Sequence, residues 1–211
     1  MADRPYHHGA LRAALLDAGE RELAEAGPEA FSLRRVARRA GVSHAAPAHH
    51  FGDVGGLLTA LAGRGFERLL ALADRRAAAA GPGAEERLMA YGLAYMDFAR
   101  EHTALFRLCF ASTRIDPTAP VFEGPANAAF TRLAELVGEA RGRAPFGPPL
   151  AMAETYRIWA VAHGMADLMA SRRIAAAADA PPAERDALAR AILAPLLARD
   201  APSAGQGRAR G

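Results

Sequence analysis

Residues 31 to 52, Phe-Ser-Leu-Arg-Arg-Val-Ala-Arg-Arg-Ala-Gly-Val-Ser-His-Ala-Ala-Pro-Ala-His-His-Phe-Gly, constrain this chain more than any other stretch. Leu33, Val36, Ala37 and Ala40 recur at helical spacing and form one apolar stripe. Gly41 falls where that helix must stop, because glycine enters the left-handed region at little cost. Val42 supplies an apolar plug for the corner, and Ser43 is suited to cap a following helix through its hydroxyl, as Ser32 is for the preceding one. Ala37, four residues before Gly41, leaves room for the second helix to cross closely. Two short helices crossing at a tight turn make a helix-turn-helix. The same stretch holds Arg34, Arg35, Arg38, Arg39 and three histidines without one acidic residue. That composition suits a unit that lays its second helix in the major groove of DNA.

The rest of the chain reads as helices divided by glycine and proline. Leu11, Leu15, Ala18, Leu23 and Ala26 support a first helix stopped at Gly27-Pro28. Asp53 is placed to cap a fourth helix running through Leu57, Leu61, Leu69 and Leu72 to the break at Gly81-Pro82-Gly83. Its start belongs with the turn unit and its remainder with the second domain, which makes it the natural lever between them. Gly55, Gly56, Gly63 and Gly65 should make it less rigid, by about 1 kcal/mol each against alanine. Further helices are predicted over 85–100, 102–110, 126–140, 150–173 and 184–198, with Pro117, Pro120 and Pro125 marking an irregular connection and Pro195 kinking or shortening the last. No strand-period segment or repeat interrupts this all-α pattern. The expected division is a three-helix DNA-binding domain over 1–56, a helical effector-binding and dimerisation domain over 57–199, and a disordered Gly, Ser, Pro and Arg tail over 200–211.

Several function classes are disfavoured. No run of eighteen apolar residues predicts a membrane span, and no apolar segment after the first charges predicts a signal peptide. A single cysteine, Cys109, has no intrachain partner and suits the reducing cytoplasm. All 26 basic residues are arginine, and the net charge of +3 is modest, so the local arginine cluster rather than the total carries the nucleic-acid reading. There is no glycine-rich phosphate loop, no His-Glu-x-x-His and no Cys-x-x-Cys. The histidine pairs 7/8 and 49/50 lack a carboxylate or cysteine at ligand spacing. We therefore expect no catalytic residues, no metal and no cofactor, although Cys109 and His163 could form a dyad in principle.

A family resemblance rests on Tyr6-His7-His8-Gly9, Leu11-Arg12, Ser32-Leu33, Val36-Ala37, Ala40-Gly41-Val42-Ser43, Ala46-Pro47, His50-Phe51, Asp53 and Leu57-Leu58. These residues resemble the DNA-binding domain of the TetR family of bacterial transcriptional regulators. Trp159, His163 and Gly164 are similar to the Trp-His-Gly signature of one subfamily's C-terminal domain. The resemblance implies an all-helical homodimer that binds double-stranded operator DNA at a palindrome and usually releases it when a small molecule enters the C-terminal domain. Ser43, His44, Ala45, Ala48, His49 and His50 are then the expected DNA-facing residues, with Ser32, Arg34 and Arg35 near phosphates. Two positions depart from the pattern. Ala48 stands where the family usually has tyrosine and Val54 where it usually has lysine, and each change removes a phosphate contact, lowering affinity and flattening the salt dependence. Pro47, as a fourth helical residue, would delete a hydrogen bond unless the first turn tightened.

The second half concentrates large apolar side chains: Tyr91, Tyr95, Phe98, Phe106, Phe110, Tyr156, Trp159 and Met165. They are either ordinary core or the lining of a pocket for an apolar effector. In the pocket reading Tyr95, Phe98, Phe106, Phe110, Trp159 and His163 form it, with His163 either a satisfied core histidine or the group that orients the ligand. Small-residue ridges Ala162/Ala166/Ala170 and Ala160/Gly164/Leu168, with the stripe Leu188/Ile192/Leu196, fit either a dimer interface or packing inside one protomer. The function expected is a ligand-responsive repressor. The alternative is a helical small-molecule-binding protein whose operator binding is weakened or lost.

Overall fold

The computed structural model describes residues 8–197; Tyr6, His7 and the tail 200–211 lie outside the described residues. Those residues form ten α-helices and no strand: α1 (His8–Ala26), α2 (Leu33–Ala40), α3 (Ala46–Phe51), α4 (Val54–Ala78), α5 (Ala84–Glu101), α6 (Thr103–Ala111), α7 (Pro120–Arg141), α8 (Ala153–Ala170), α9 (Ala175–Asp179) and α10 (Pro182–Leu197). A 3-10 turn, Pro149–Met152, leads into α8.

The first three helices fold around Leu15, Leu16, Ala18, Phe31, Val36 and Ala37, with Leu57, Leu58 and Leu61 of α4 closing the cluster. Gly41 ends α2 with φ 69° and ψ 32°, and the N–H groups of Gly41 and Val42 donate to the carbonyls of Arg38 and Ala37 at 3.2 and 3.1 Å. The capping expectations fail in detail. Ser32 makes no side-chain cap, and α3 starts at Ala46, three residues after Ser43. The Ser43 carbonyl, not its hydroxyl, receives the Ala46 N–H at 3.1 Å, a tightened turn of the 3-10 kind. This late start puts Pro47 in the first turn of α3, where a missing N–H leaves nothing unsatisfied. Asp53 does cap α4, its carboxylate accepting the Gly56 N–H at 2.8 Å.

α4 then passes into the second layer, where it packs on α5 and α7, and α5 in turn packs on α8 and α10. The C-terminal end of α4 is fixed by Arg76. Its Nε donates to Asp97 of α5 at 2.8 Å, and its terminal nitrogens donate to both carboxylate oxygens of Asp186 on α10 at 2.6 and 3.0 Å.

Three departures from the predicted elements have physical causes. α7 begins at Pro120, not near 126, because Pro120 sits in the first turn, where proline is favoured. Pro125 lies inside it and cannot donate to the carbonyl four residues back, that of Val121. That carbonyl oxygen instead presses on α4 at Gly63, where an added Cβ would stand 2.0 Å from it. Gly63 is therefore in α4 for space rather than slack, and so is Gly65, against which Phe98 and the Cys109 sulfur pack. The helix predicted to reach residue 173 stops at Ala170, since Arg172 takes φ 59° and its guanidinium turns to Asp179 of α9 at 2.9 and 2.6 Å.

Candidate functional site

The outer face of the turn unit is built by α3 and the segment before it. Ser43, His44, Ala45, Ala48 and His49 are all exposed there, while Pro47 faces inward and His50 is half-buried beside Phe51. The six residues of α3 are held from below by α2 and α4. Every predicted base-facing residue except His50 thus lies open on one surface, with Ala45 and Ala48 able to offer only methyl contacts.

The arginine cluster divides in a way its sequence hides. Glu22 of α1 is fully buried, and its two carboxylate oxygens accept from Arg35 Nε and, at 3.0 Å, from Arg39 Nε. Arg35 also donates to the Ala30 carbonyl, and Arg39 grips both oxygens of Glu25. These hydrogen bonds from Arg39 hold the Glu25 carboxyl below its usual range. Arg35, predicted beside a phosphate, is therefore engaged by the protein itself. Among the described residues Arg34 and Arg38 have no carboxylate partner and are exposed. Two of the four arginines thus hold α2 to α1, and two stay exposed. Arg12 adds a cation over the Phe51 ring, 5.3 Å from its centroid.

The second candidate site is a cavity of about 440 Å³ lined by α4, α5, α6, α7, α8 and α10. Of the predicted pocket residues, Tyr95, Phe110 and Trp159 line it. Phe98 and Phe106 do not. Both are fully buried behind Tyr95, in a ring cluster where Phe106 contacts Tyr95, Phe98 and Phe110 at 6.0, 6.1 and 5.2 Å. Gly65 lets Phe98 press directly on α4, and Phe106 fills the space between Phe98, Tyr95 and Phe110. His163 also stands outside the lining. Its Nδ1 shares a 2.8 Å hydrogen bond with the Tyr95 hydroxyl, and its ring packs on Phe110 at 4.9 Å. Burial lowers the His163 pKa below the ordinary histidine value and raises that of the Tyr95 phenol.

Sequence reasoning missed the α7 wall. Phe122, Ala126, Asn127, Ala129, Phe130 and Leu133 line the cavity from a stretch whose prolines suggested irregular chain. The signal was present as apolar residues at 122, 126, 129, 130 and 133, a helical stripe running straight through Pro125. Tyr156 and Trp159 form the opposite lip, both contacting Phe130 at about 6 Å and both partly exposed. No Cys109–His163 dyad exists. The Cys109 thiol donates to the Ala62 carbonyl at 3.2 Å, and burial pushes its pKa up to about 12. Among the described residues no cluster of His, Cys, Asp and Glu could hold a metal ion, and no helix is long and apolar enough to cross a membrane.

The two sites are joined by more than α4 alone. Helix α1 packs on α6, and its Asp17 and Glu20 pair with Arg64 of α4. The loop between α6 and α7 adds a further bond, Arg114 donating to the Pro28 carbonyl in the turn after α1. The same loop donates the Asp116 N–H to Thr59 Oγ1 of α4 at 2.9 Å, and that hydroxyl in turn donates to the Gly55 carbonyl at 2.7 Å.

A small helix-turn-helix unit carried on a larger helical body with an apolar cavity defines a one-component transcriptional regulator by its build. Comparison with known proteins narrows the class. Residues 88–196 match the family model described as the tetracyclin repressor-like C-terminal domain, and residues 15–61 match that of the bacterial regulatory proteins, tetR family. The chain belongs to the TetR family of transcriptional regulators. A protein of unknown function from Rhodococcus sp. RHA1 is 35% identical, with a TM-score of 0.74 over 92% of this chain and 97% of that one. The TetR family regulator PfmR from Thermus thermophilus shares the fold at 18% identity, with a TM-score of 0.62 over 87% of this chain and 96% of its own. The HTH-type transcriptional regulator BetI of Burkholderia mallei is 41% identical over 86 residues, a match that spans 41% of this chain and 44% of that relative.

Proposed function

We propose that the chain is a ligand-responsive repressor that acts as a cytoplasmic homodimer, binds a palindromic operator and releases it when a small apolar molecule fills the cavity. The observation that carries this reading is the continuity of α4, which starts under the exposed face of α3 and forms part of the cavity wall through Phe66 and Leu69. The domain division follows from the same helix: residues 1–56 read DNA, and 57–199 bind effector and self-associate. Ser43, His44, Ala45, Ala48 and His49 meet the groove, with His50 supporting them from its half-buried position. Arg34, Arg38 and Ser32 lie toward phosphates, and Arg35 acts by holding α2 to α1.

The dimer face falls on α8 and α10. The ridge Ala162/Ala166 is buried inside the protomer, whereas Ala160 and Leu168 are exposed and an added methyl at Gly164 would meet nothing. Leu188 is likewise exposed on α10. A twofold pairing there suits recognition of successive major grooves. Membership of a family of transcriptional regulators supports reading the protein as a non-enzyme.

An effector acts only through unequal affinity for the two arrangements of α4, and a coupling of about 1–3 kcal/mol corresponds to a roughly 5–150-fold loss of operator affinity. The test is a mobility shift with the DNA upstream of the gene. Preference for one palindrome over random DNA supports the reading, and its absence at moderate salt defeats it. His44→Ala should alter preference among operators by about 1–3 kcal/mol, while Arg34→Ala should weaken binding to all sequences and reduce the salt slope by about one. One observation favours a second reading: with Ala48 and Val54 in place of the usual phosphate contacts and Arg35 and Arg39 paired internally, the footprint is thin. A protein that binds cavity ligand normally but no upstream DNA is then a ligand-binding protein that has left its operator.

A further inference from the structure

The cavity has a chemical character that specifies its ligand further. Its lining contains no carboxylate, guanidinium or imidazole group among the described residues. An ion placed there would lose its hydration with no charge to replace it, a penalty of several kcal/mol. The walls are ring faces from Phe66, Phe110, Phe130, Tyr156 and Trp159.

Polar positions are few, and most are spent. The Tyr91 hydroxyl donates to the Ala129 carbonyl at 2.7 Å. The Tyr95 hydroxyl accepts from Trp159 Nε1 at 3.4 Å and shares its 2.8 Å bond with His163 Nδ1. A phenol has one proton and two lone pairs. If Tyr95 donates to the imidazole, one lone pair is left; if the imidazole donates to Tyr95, the proton is left. Either tautomer leaves one open hydrogen-bonding position beside the cavity. A ligand hydroxyl can fill it in both cases, because a hydroxyl both donates and accepts. Asn127 and the Tyr156 hydroxyl are the remaining polar groups of the lining, neither sharing in the Tyr95–His163 bond.

Resting on the effector reading above, we propose that the cavity selects an uncharged, mainly aromatic or hydrocarbon molecule bearing one hydroxyl, seated at Tyr95 between Trp159 and His163. Its size is bounded by the cavity volume of about 440 Å³.

The test uses the full chain and four probes of one shape: 4-phenylphenol, biphenyl, 4-biphenylcarboxylate and 4-biphenylmethylammonium. Binding is read by calorimetry and by the emission of Trp159, the single tryptophan of the chain. We expect the phenol to bind about tenfold tighter than biphenyl, the value of one net hydrogen bond, and both ions to bind roughly a hundredfold weaker than the phenol or worse. Tyr95→Phe should retain biphenyl and lose the preference for the phenol. An ion that binds as well as the phenol and moves Trp159 emission overturns the proposed class while leaving the effector site in place. Preference for the phenol persisting in Tyr95→Phe overturns the seat. Failure of all four probes with a protein that still melts cooperatively overturns the proposal and the effector reading together, while operator binding is scored separately by mobility shift.

Discussion

Replacing Gly63 by alanine sets two known effects against each other. In an open helix the change gains about 1 kcal/mol of helix propensity. Here the new Cβ would lie 2.0 Å from the Val121 carbonyl oxygen, 3.0 Å from its carbon and 3.4 Å from the Phe122 Cα. A carbon and a carbonyl oxygen rest at about 3.3 Å or more, so the start of α7 must retreat by roughly 1.3 Å. The obstacle is backbone at a helix start and cannot rotate aside. Overpacking of this kind costs about 1–3 kcal/mol, and a rigid obstacle belongs at the upper end, so the net loss should be about 2 kcal/mol. For a chain of this size that lowers the melting temperature by about 4–8 °C. Gly9→Ala in α1 is the control: an added Cβ there meets nothing within 4 Å, no proline follows it, and the substitution should stabilise by up to about 1 kcal/mol. Thermal and urea melts of both variants decide the matter. A Gly63→Ala protein as stable as the parent would show that the Val121 carbonyl is not held against α4, and would remove the link between the α7 wall and the lever.

Gly164→Ala should leave the protomer intact but raise the dimer dissociation constant about tenfold by sedimentation, since the methyl intrudes only if a second copy packs there; an unchanged dimer would move the interface elsewhere. Glu22→Gln should lower stability by about 2 kcal/mol in urea, because Arg35 and Arg39 lose a shared buried carboxylate while keeping partial exposure; a neutral outcome would mean the pair contributes nothing net. His163 and His102 have pKa values lowered by burial, so the unfolded chain takes up their protons first as pH falls below about 6.5. Stability should therefore be flat above neutral pH and decline from about 6.5 downward, with Asp116 and Asp186 adding to the loss near pH ~4. His163→Gln should flatten the first part of that profile, and an unaltered slope would assign it to other groups.

Several local structural decisions were legible in the sequence, although the expected serine caps at Ser32 and Ser43 were not formed. The stop at Gly41, the cap at Asp53 and the apolar stripe of α2 need only residues within a turn or two, and all three stand as expected. The pairing of Arg35 and Arg39 with Glu22 spans 13 and 17 residues, and a local count of acids could not see it. The same holds for Pro125 and Gly63, each of which looked like a defect in its own helix and which together make one contact between helices. In the cavity the aromatic composition was legible but its sorting was not. Phe98 is held in the core against Gly65 of α4, a neighbour brought to it only in three dimensions, and Phe106 packs on Phe98.

The loop between α6 and α7 changes what kind of movement the recognition unit can make. A body hung from one rod can swing in any direction and spin about the rod. Held at further points off the rod's axis, it loses most of that freedom. α4 is the rod, and the packing of α1 on α6 together with Arg114 on the Pro28 carbonyl are the further holds. Torsion about α4 would require those holds to break or slide. Any movement of the recognition unit is therefore shared among α1, α4 and α6 instead of being carried by one helix.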